Sequence, residues 1–166
     1  KKKIIFYFSM ATTISDGVVY LLDQQIKKAK VFDLDNTVDS ISIPKEIELE
    51  GEKYEVHEIE PGAFKNNQKI KTFTIVNDST ITSIPKNTFA YSTLQTATLP
   101  PSILKIEESS FSFCPNLQTV TLPENSNLNE IDKLAFTESA IPKFLIPSHV
   151  KKIGEKAFYK CNKLND

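Results

Sequence analysis

Phe111-Ser112-Phe113-Cys114-Pro115-Asn116-Leu117-Gln118-Thr119-Val120-Thr121-Leu122-Pro123 carries the pattern that decides the fold. Its first residue belongs to a series, Phe64, Phe89, Phe111, Phe136 and Phe158, with spacings of 25, 22, 25 and 22. Five residues before each stands Ile59, Ile84, Ile106, Ile131 or Ile153, and eight before stands Val56, Ile81, Ile103, Leu128 or Val150. Five or six residues after each comes Ile70, Leu94, Leu117, Ile141 or Leu164. Three and five residues further on are Phe73 and Ile75, Ala97 and Leu99, Val120 and Leu122, Phe144 and Ile146. The alternation also makes a 47-residue double unit, from Phe64 to Phe111 and again to Phe158. Unrelated amphipathic strands would not align so many apolar positions, and a fixed period of this size marks a repeat architecture.

No single repeat can bury its own apolar row. Stacked repeats place like on like and share one interior along the axis. Segments such as Thr119-Val120-Thr121-Leu122 alternate polar and apolar residues, as half-buried strands do. Pro100, Pro123 and Pro147 follow these segments and end them, because proline has no N–H for a ladder. Stretches around Ala63-Phe64, Ala135-Phe136 and Ala157-Phe158 read as short turns or single helical turns on the opposite side. The expected class is α/β, mostly β: a right-handed solenoid of alternating 22- and 25-residue repeats.

The interior spacing is the L-x-x-L-x-L of a leucine-rich repeat, and Leu117 to Asn125 completes it with the terminal Asn. More narrowly, Ile153-Gly154-Glu155-Lys156-Ala157-Phe158-Tyr159-Lys160-Cys161-Asn162-Lys163-Leu164 resembles the BspA-like class, as does Phe111 to Pro123. The resemblance covers about residues 38–166. It implies a surface-exposed or secreted protein that adheres to host matrix proteins or to other cells.

Residues 1–37 are expected to form an N-terminal β cap and 38–166 one continuous solenoid. The first repeat is irregular. Val38, Ile41, Ile43 and Pro44 fit the strand pattern, but an insert follows that alternates through Ile47-Glu48-Leu49-Glu50, turns at Gly51 and alternates again to Val56. It reads as a β-hairpin. Gly17 to Leu22 and Ala29 to Phe32 suggest a second, and together they supply the cover that a solenoid's end coil needs. Lys1 to Ala11 resembles a signal peptide's basic and apolar regions, but it is read here as a first strand. The sequence stops inside a repeat just after Leu164, so either the array continues or the open end docks onto something.

Net charge is -1 and every basic residue is lysine. Bulk attraction to nucleic acid is therefore absent, and so is the guanidinium fork that reads phosphates and guanine. No apolar run approaches the roughly 20 residues of a membrane span.

Val31-Phe32-Asp33-Leu34-Asp35-Asn36-Thr37 resembles the first motif of haloacid-dehalogenase-type phosphatases, with a nucleophilic Asp33 and an acid at Asp35. The alternating β and α context and an Asp-Asp pair for magnesium are missing, so a strand ending in a polar turn is preferred. Cys114 and Cys161 occupy equivalent positions two coils apart, roughly 9–10 Å at about 4.8 Å per coil. That exceeds the roughly 6.8 Å a disulfide spans, so both are expected to be reduced and buried. His57 and His149 belong to no triad-like set. Glu46, Glu48, Glu50, Glu52, Glu55, Glu58 and Glu60 read as a solvated, edge-protecting face rather than a cation site. Asn77-Asp78-Ser79 fits a glycosylation sequon, relevant only to a secreted eukaryotic protein. No catalytic, metal or cofactor site is assigned.

The outward strand positions are where a ligand would sit: Ser40 and Ser42, then Thr72, Thr74, Thr96, Thr98, Thr119, Thr121, Lys143 and Leu145. Threonine ladders also stabilise sheets by themselves. The functional expectation is a non-enzymatic, surface or secreted binding module for a protein ligand, with neither nucleic acid nor membrane insertion. The alternative is a structural spacer that self-associates through its C-terminal end, and a phosphatase is remote.

Overall fold

Three ladders of backbone hydrogen bonds join successive coils, and the phenylalanine row lies between them. The computed structural model describes residues 4–7, 10–35 and 37–165. Lys1 to Lys3, Phe8 and Ser9 of the signal-like stretch lie outside the described residues, as do Asn36 and Asp166.

The chain begins with β1 (Ile4–Tyr7), β2 (Met10–Ser15), β3 (Val18–Asp23) and β4 (Lys28–Leu34), an antiparallel meander. β5 (Ser40–Ile43) leaves it to start the solenoid, and β6 (Glu46–Leu49) with β7 (Glu52–Ile59) returns as a hairpin. β7 pairs with β4 in parallel, so the six-stranded sheet runs β1-β2-β3-β4-β7-β6. Two of its hairpins turn on Asp16-Gly17 and Glu50-Gly51, with φ of 50° and 79°, and 54° and 81°. Positive φ at both central residues gives turns whose twist matches the flanking strands, which favours glycine at the second position.

The next three coils each contribute two short strands and the fifth contributes one. β8 (Thr72–Ile75), β10 (Thr96–Thr98) and β12 (Thr119–Thr121) extend β5 into a parallel sheet of order β12-β10-β8-β5. β9 (Ser83–Ile84), β11 (Lys105–Ile106), β13 (Glu130–Ile131) and β14 (Lys152–Ile153) form the second, of order β14-β13-β11-β9. The pairing is in register, so Phe73 faces Ala97 and Ala97 faces Val120, while Ile84, Ile106, Ile131 and Ile153 align. At Gly154 the backbone of the neighbouring coil leaves no room for a side chain: a Cβ would meet Lys133 N at 2.2 Å.

The third ladder is made of turns. Gly62, Asn87, Ser109, Leu134 and Lys156 stand two residues before the phenylalanines, and Asn66, Tyr91, Phe113, Glu138 and Lys160 two residues after. All ten positions have left-handed φ, between 53° and 73°. This rotates alternate N–H groups along the axis, so Phe64, Phe89, Phe111 and Phe136 donate to Thr88, Ser110, Ala135 and Ala157 carbonyls at 2.9, 2.7, 2.8 and 2.7 Å. The left-handed conformation costs an L-residue roughly 1–2 kcal/mol; the intercoil hydrogen bonds, each about 0.5–1.5 kcal/mol net, offset it. Helical turns would direct those N–H groups back within the coil, and no helix occurs among the described residues. No helix there is long and apolar enough to cross a membrane.

One interior results. The ring centroids of Phe64, Phe89, Phe111, Phe136 and Phe158 follow one another at 5.2, 5.2, 5.1 and 5.1 Å. A single apolar cluster runs from Ala11 to Cys161.

The fifth coil departs from expectation. Lys71, Gln95 and Gln118 open their strands by donating N–H to Asp39, Lys71 and Gln95 carbonyls at 2.6, 2.8 and 2.8 Å. Pro142 occupies the same position and has no N–H to give. Residues 143–146 are accordingly not a strand. Phe144 still packs on Phe136 and Phe158, at 5.1 and 6.0 Å, whereas Leu145 is 73% and Ile146 41% exposed.

Candidate binding face

The β5-β8-β10-β12 sheet turns Ile41, Phe73, Ala97 and Val120 inward, and all four are buried. The pleat therefore sends their flanking residues outward. Ser40, Thr72, Thr96 and Thr119 form one column across the strands, and Ser42, Thr74, Thr98 and Thr121 the other. Beneath them Phe73 meets Phe64 at 5.7 Å and Phe89 at 4.8 Å, so the face stands on a packed aromatic floor. Lys143 and Leu145, expected to extend the columns, are exposed but lie on the unpaired segment after Pro142. Eight of the ten outward positions are thus brought together and two are not.

All but one of the hydroxyls of this face are free among the described residues. Ser40 Oγ bonds to Asp39, but among the described residues Ser42, Thr72, Thr74, Thr96, Thr98, Thr119 and Thr121 make no side-chain hydrogen bond within the protein. Strands about 4.8 Å apart hold neighbouring threonine oxygens beyond direct bonding distance. Elsewhere in the repeat such groups are engaged: Thr88, Thr93 and Thr137 donate to the Pro85, Ile70 and Lys156 carbonyls. Ser102 donates to Ile81 O at 2.7 Å. At one margin Lys71 pairs with Asp39 at 2.7 Å, and that ammonium holds the Asp39 carboxyl below its ordinary range.

The other candidates resolve into structural roles. Asp33 Oδ1 accepts from Leu34 N, and Asp35 Oδ1 accepts from both the N–H and the hydroxyl of Thr37. Both carboxylates thus serve a local turn. Among the described residues no three His, Cys, Asp or Glu side chains gather as metal ligands. Glu46 pairs with Lys53, Glu52 with Lys27, and Glu58 and Glu60 with Lys30. His57 Nδ1 lies 3.0 Å from Ala29 O, and His149 is exposed. Asn77 is exposed in a turn, whereas Ser79 is buried and accepts from Ile81 N.

Both cysteines are free, buried thiols. Cys114 Sγ donates to Phe89 O at 3.1 Å and Cys161 Sγ to Phe136 O at 3.0 Å. Burial pushes the Cys114 thiol up to about 11, against the opposing pull of Ser92. Ser92 and Ser139 lie 3.7 and 3.6 Å from these sulfurs. Sequence reasoning missed that column, although Ser92, Cys114, Ser139 and Cys161 all stand three residues after a core phenylalanine.

Stacked coils with one phenylalanine column and parallel sheets running along them define a leucine-rich-repeat solenoid. The chain belongs to the BspA-type leucine-rich-repeat family, whose repeat region matches residues 28–165 in six copies. No curated protein matches the sequence. Among solved structures it is similar to a leucine-rich repeat protein from Bacteroides ovatus, with TM-score 0.78 and 25% identity over 92% of this chain and 39% of that one. A leucine-rich repeat protein of T. pallidum gives 0.76 at 20% identity, over 91% of this chain and 68% of that one. A leucine rich cell surface protein from Faecalibacterium prausnitzii gives 0.52 at 22% identity, over 93% and 53%. The chain therefore spans about two fifths of the first and half of the last. Solenoids of this kind generally act as extended binding surfaces rather than catalysts.

Proposed function

We propose that this chain is a non-enzymatic protein-binding or adhesion module of a cell-surface or secreted protein. Its ligand lies on Thr72, Thr74, Thr96, Thr98, Thr119 and Thr121, with Lys143 and Leu145 as an exposed, unpaired flank. Residues 1–37, joined by the β6–β7 hairpin, act as the cap, and 38–166 carry the face. The observation behind this reading is the set of free hydroxyls held in register on a packed floor. A side chain with no structural use for its polar group is available to a ligand. The cell-surface protein of Faecalibacterium prausnitzii, similar over 93% of this chain, supports the placement.

The test is binding of the purified chain to a panel of immobilised extracellular-matrix proteins, compared with a Thr98→Lys, Thr121→Lys double variant. Both sites are exposed, so folding is expected to survive. Loss of binding with an unchanged circular dichroism spectrum is expected. Full binding by the variant would rule out the sheet face.

A further inference from the structure

Two irregularities in the cap sheet open onto one cavity. Where β3 pairs with β4, Val19 faces Asp33 and Tyr20 faces Val31, so Phe32 is an extra residue. Where β4 pairs with β7, Ala29 faces Val56 and Lys30 faces Glu58, so His57 is extra. Each ladder thus carries a β-bulge, a device that re-aims side chains and is rare between parallel strands. Two outward residues accordingly separate buried Val31 from buried Leu34, and two separate Val56 from Ile59. Phe32 is left 40% exposed on an interior strand of the sheet, and Ile26, in the β3–β4 turn, is 61% exposed. Both bulged side chains line a cavity of about 820 Å³ that has this turn as one wall. Small-molecule sites are typically of this size, roughly 300–1,000 Å³.

The lining narrows the ligand. Glu58 and Glu60 both pair with Lys30, Glu60 at 3.1 Å, so part of their charge is met within the protein and their other lone pairs remain as acceptors. His57 Nδ1 lies 3.0 Å from Ala29 O, which leaves Nε2 as an acceptor in the neutral ring. Among the described residues the Gln24 and Gln25 amides make no hydrogen bond, and Lys28 makes no ion pair. An anionic ligand would meet carboxylates and no arginine; a lipid would leave these polar groups unmet. An extended peptide finds no open ladder, because β3, β4 and β7 are each paired on both sides. A molecule with hydroxyls on its rim and C–H groups on its face suits all of these groups, since the π face of a phenylalanine ring is weakly negative. We infer that this cavity binds a short, uncharged oligosaccharide. Phe32 and Ile26 pack against the sugar ring, and Gln24, Gln25, Glu58 and Glu60 bond its hydroxyls. The site is separate from the threonine face, and neither depends on the other.

The experiment titrates cellotriose, maltotriose and fully N-acetylated chitotriose into the whole chain, read by saturation-transfer NMR at low and high salt. Saturable transfer to the ring C–H protons of at least one sugar is expected, unchanged by salt. Affinity should weaken about tenfold, close to 1.4 kcal/mol, in Phe32→Thr, which keeps a strand-forming residue but removes the ring. A Gln24→Ala, Gln25→Ala variant, altered only at exposed turn positions, should weaken it without touching a strand. The Thr98→Lys, Thr121→Lys variant should bind sugar as the parent does. Absence of saturable transfer from all three sugars, or full binding by both cavity variants, overturns the inference. So does binding abolished by salt, or binding lost in the threonine-face variant.

Discussion

Phe111 touches Phe89 on one side at 5.2 Å and Phe136 on the other at 5.1 Å, with planes 14° and 3° apart. Its ring is fully buried and its N–H reaches the next coil at Ala135 O. One residue therefore joins three coils through its ring and two through its backbone. Truncating a buried phenylalanine removes transfer energy and leaves a cavity, together about 3–5 kcal/mol. Phe111→Ala is expected to lose that much in urea unfolding followed by circular dichroism. Because coils support only their neighbours, the damage should concentrate in the coils on either side. A loss under about 1 kcal/mol would be an ordinary surface effect and would mean that the ring column does not hold the solenoid together. The column was readable in the sequence because a phenylalanine every 25 or 22 residues has no other common cause. The left-handed residues around it were not, since Leu134, Tyr91 and Phe113 give no sign of positive φ. Their conformation is imposed by the intercoil ladder and not by local preference.

Strands are the elements of this fold, yet most are only two to four residues long in the coils, as β8 to β14 show. A strand that short exists because its neighbours supply partners, so losing one donor can remove it. Pro142 does this to residues 143–146. Pro142→Gln places there the residue that Gln95 and Gln118 already provide, and its N–H can reach Gln118 O. A fifth strand beside β12 is expected, seen as slowed amide hydrogen exchange at Lys143 to Leu145. One net hydrogen bond of about 0.5–1.5 kcal/mol is partly cancelled by the roughly 0.4–1 kcal/mol that proline contributes by restricting the unfolded chain. The melting temperature should thus rise only slightly, and exchange is the decisive readout. Unaltered exchange would show that something besides the missing N–H keeps this segment apart. The apolar pattern at Phe144 and Ile146 predicted a strand because periodicity reports facing, whereas pairing depends on a donor one residue outside the pattern. The same limit applies to the binding face: the sequence shows which threonines point outward, but not that their hydroxyls lack partners.

Across the molecule, the second sheet carries a run of ion pairs from coil to coil. Glu108 reaches Lys86 at 3.1 Å and Lys133 at 3.2 Å. Glu130 pairs with Lys152 and with Lys105, the latter at 3.4 Å, and Asp132 lies 3.2 Å from Lys105. Lys86 and Lys133 hold the Glu108 carboxyl below its ordinary range, and Lys152 and Lys105 do so for Glu130. For Asp132 the N–H of Lys133 is the largest cause, with Lys105 next. A carboxylate whose folded pKa is depressed stabilises the fold above its unfolded value, and that stabilisation is lost as pH falls through the folded one. The melting temperature is therefore expected to be flat near neutrality and to drop as pH falls below about 4.3, the ordinary glutamate value. The carboxylates are partly buried but three of their four lysine partners are more than half exposed, so the drop should be modest and should shrink in about 1 M salt, where the screening length is about 3 Å. Glu130→Gln should reduce it further by removing the carboxylate that links three coils. Thermal melts by circular dichroism at several pH values, in low and high salt, make the comparison. A melting temperature that does not change with acidification would show that these pairs only decorate a solenoid held by its apolar column and backbone ladders.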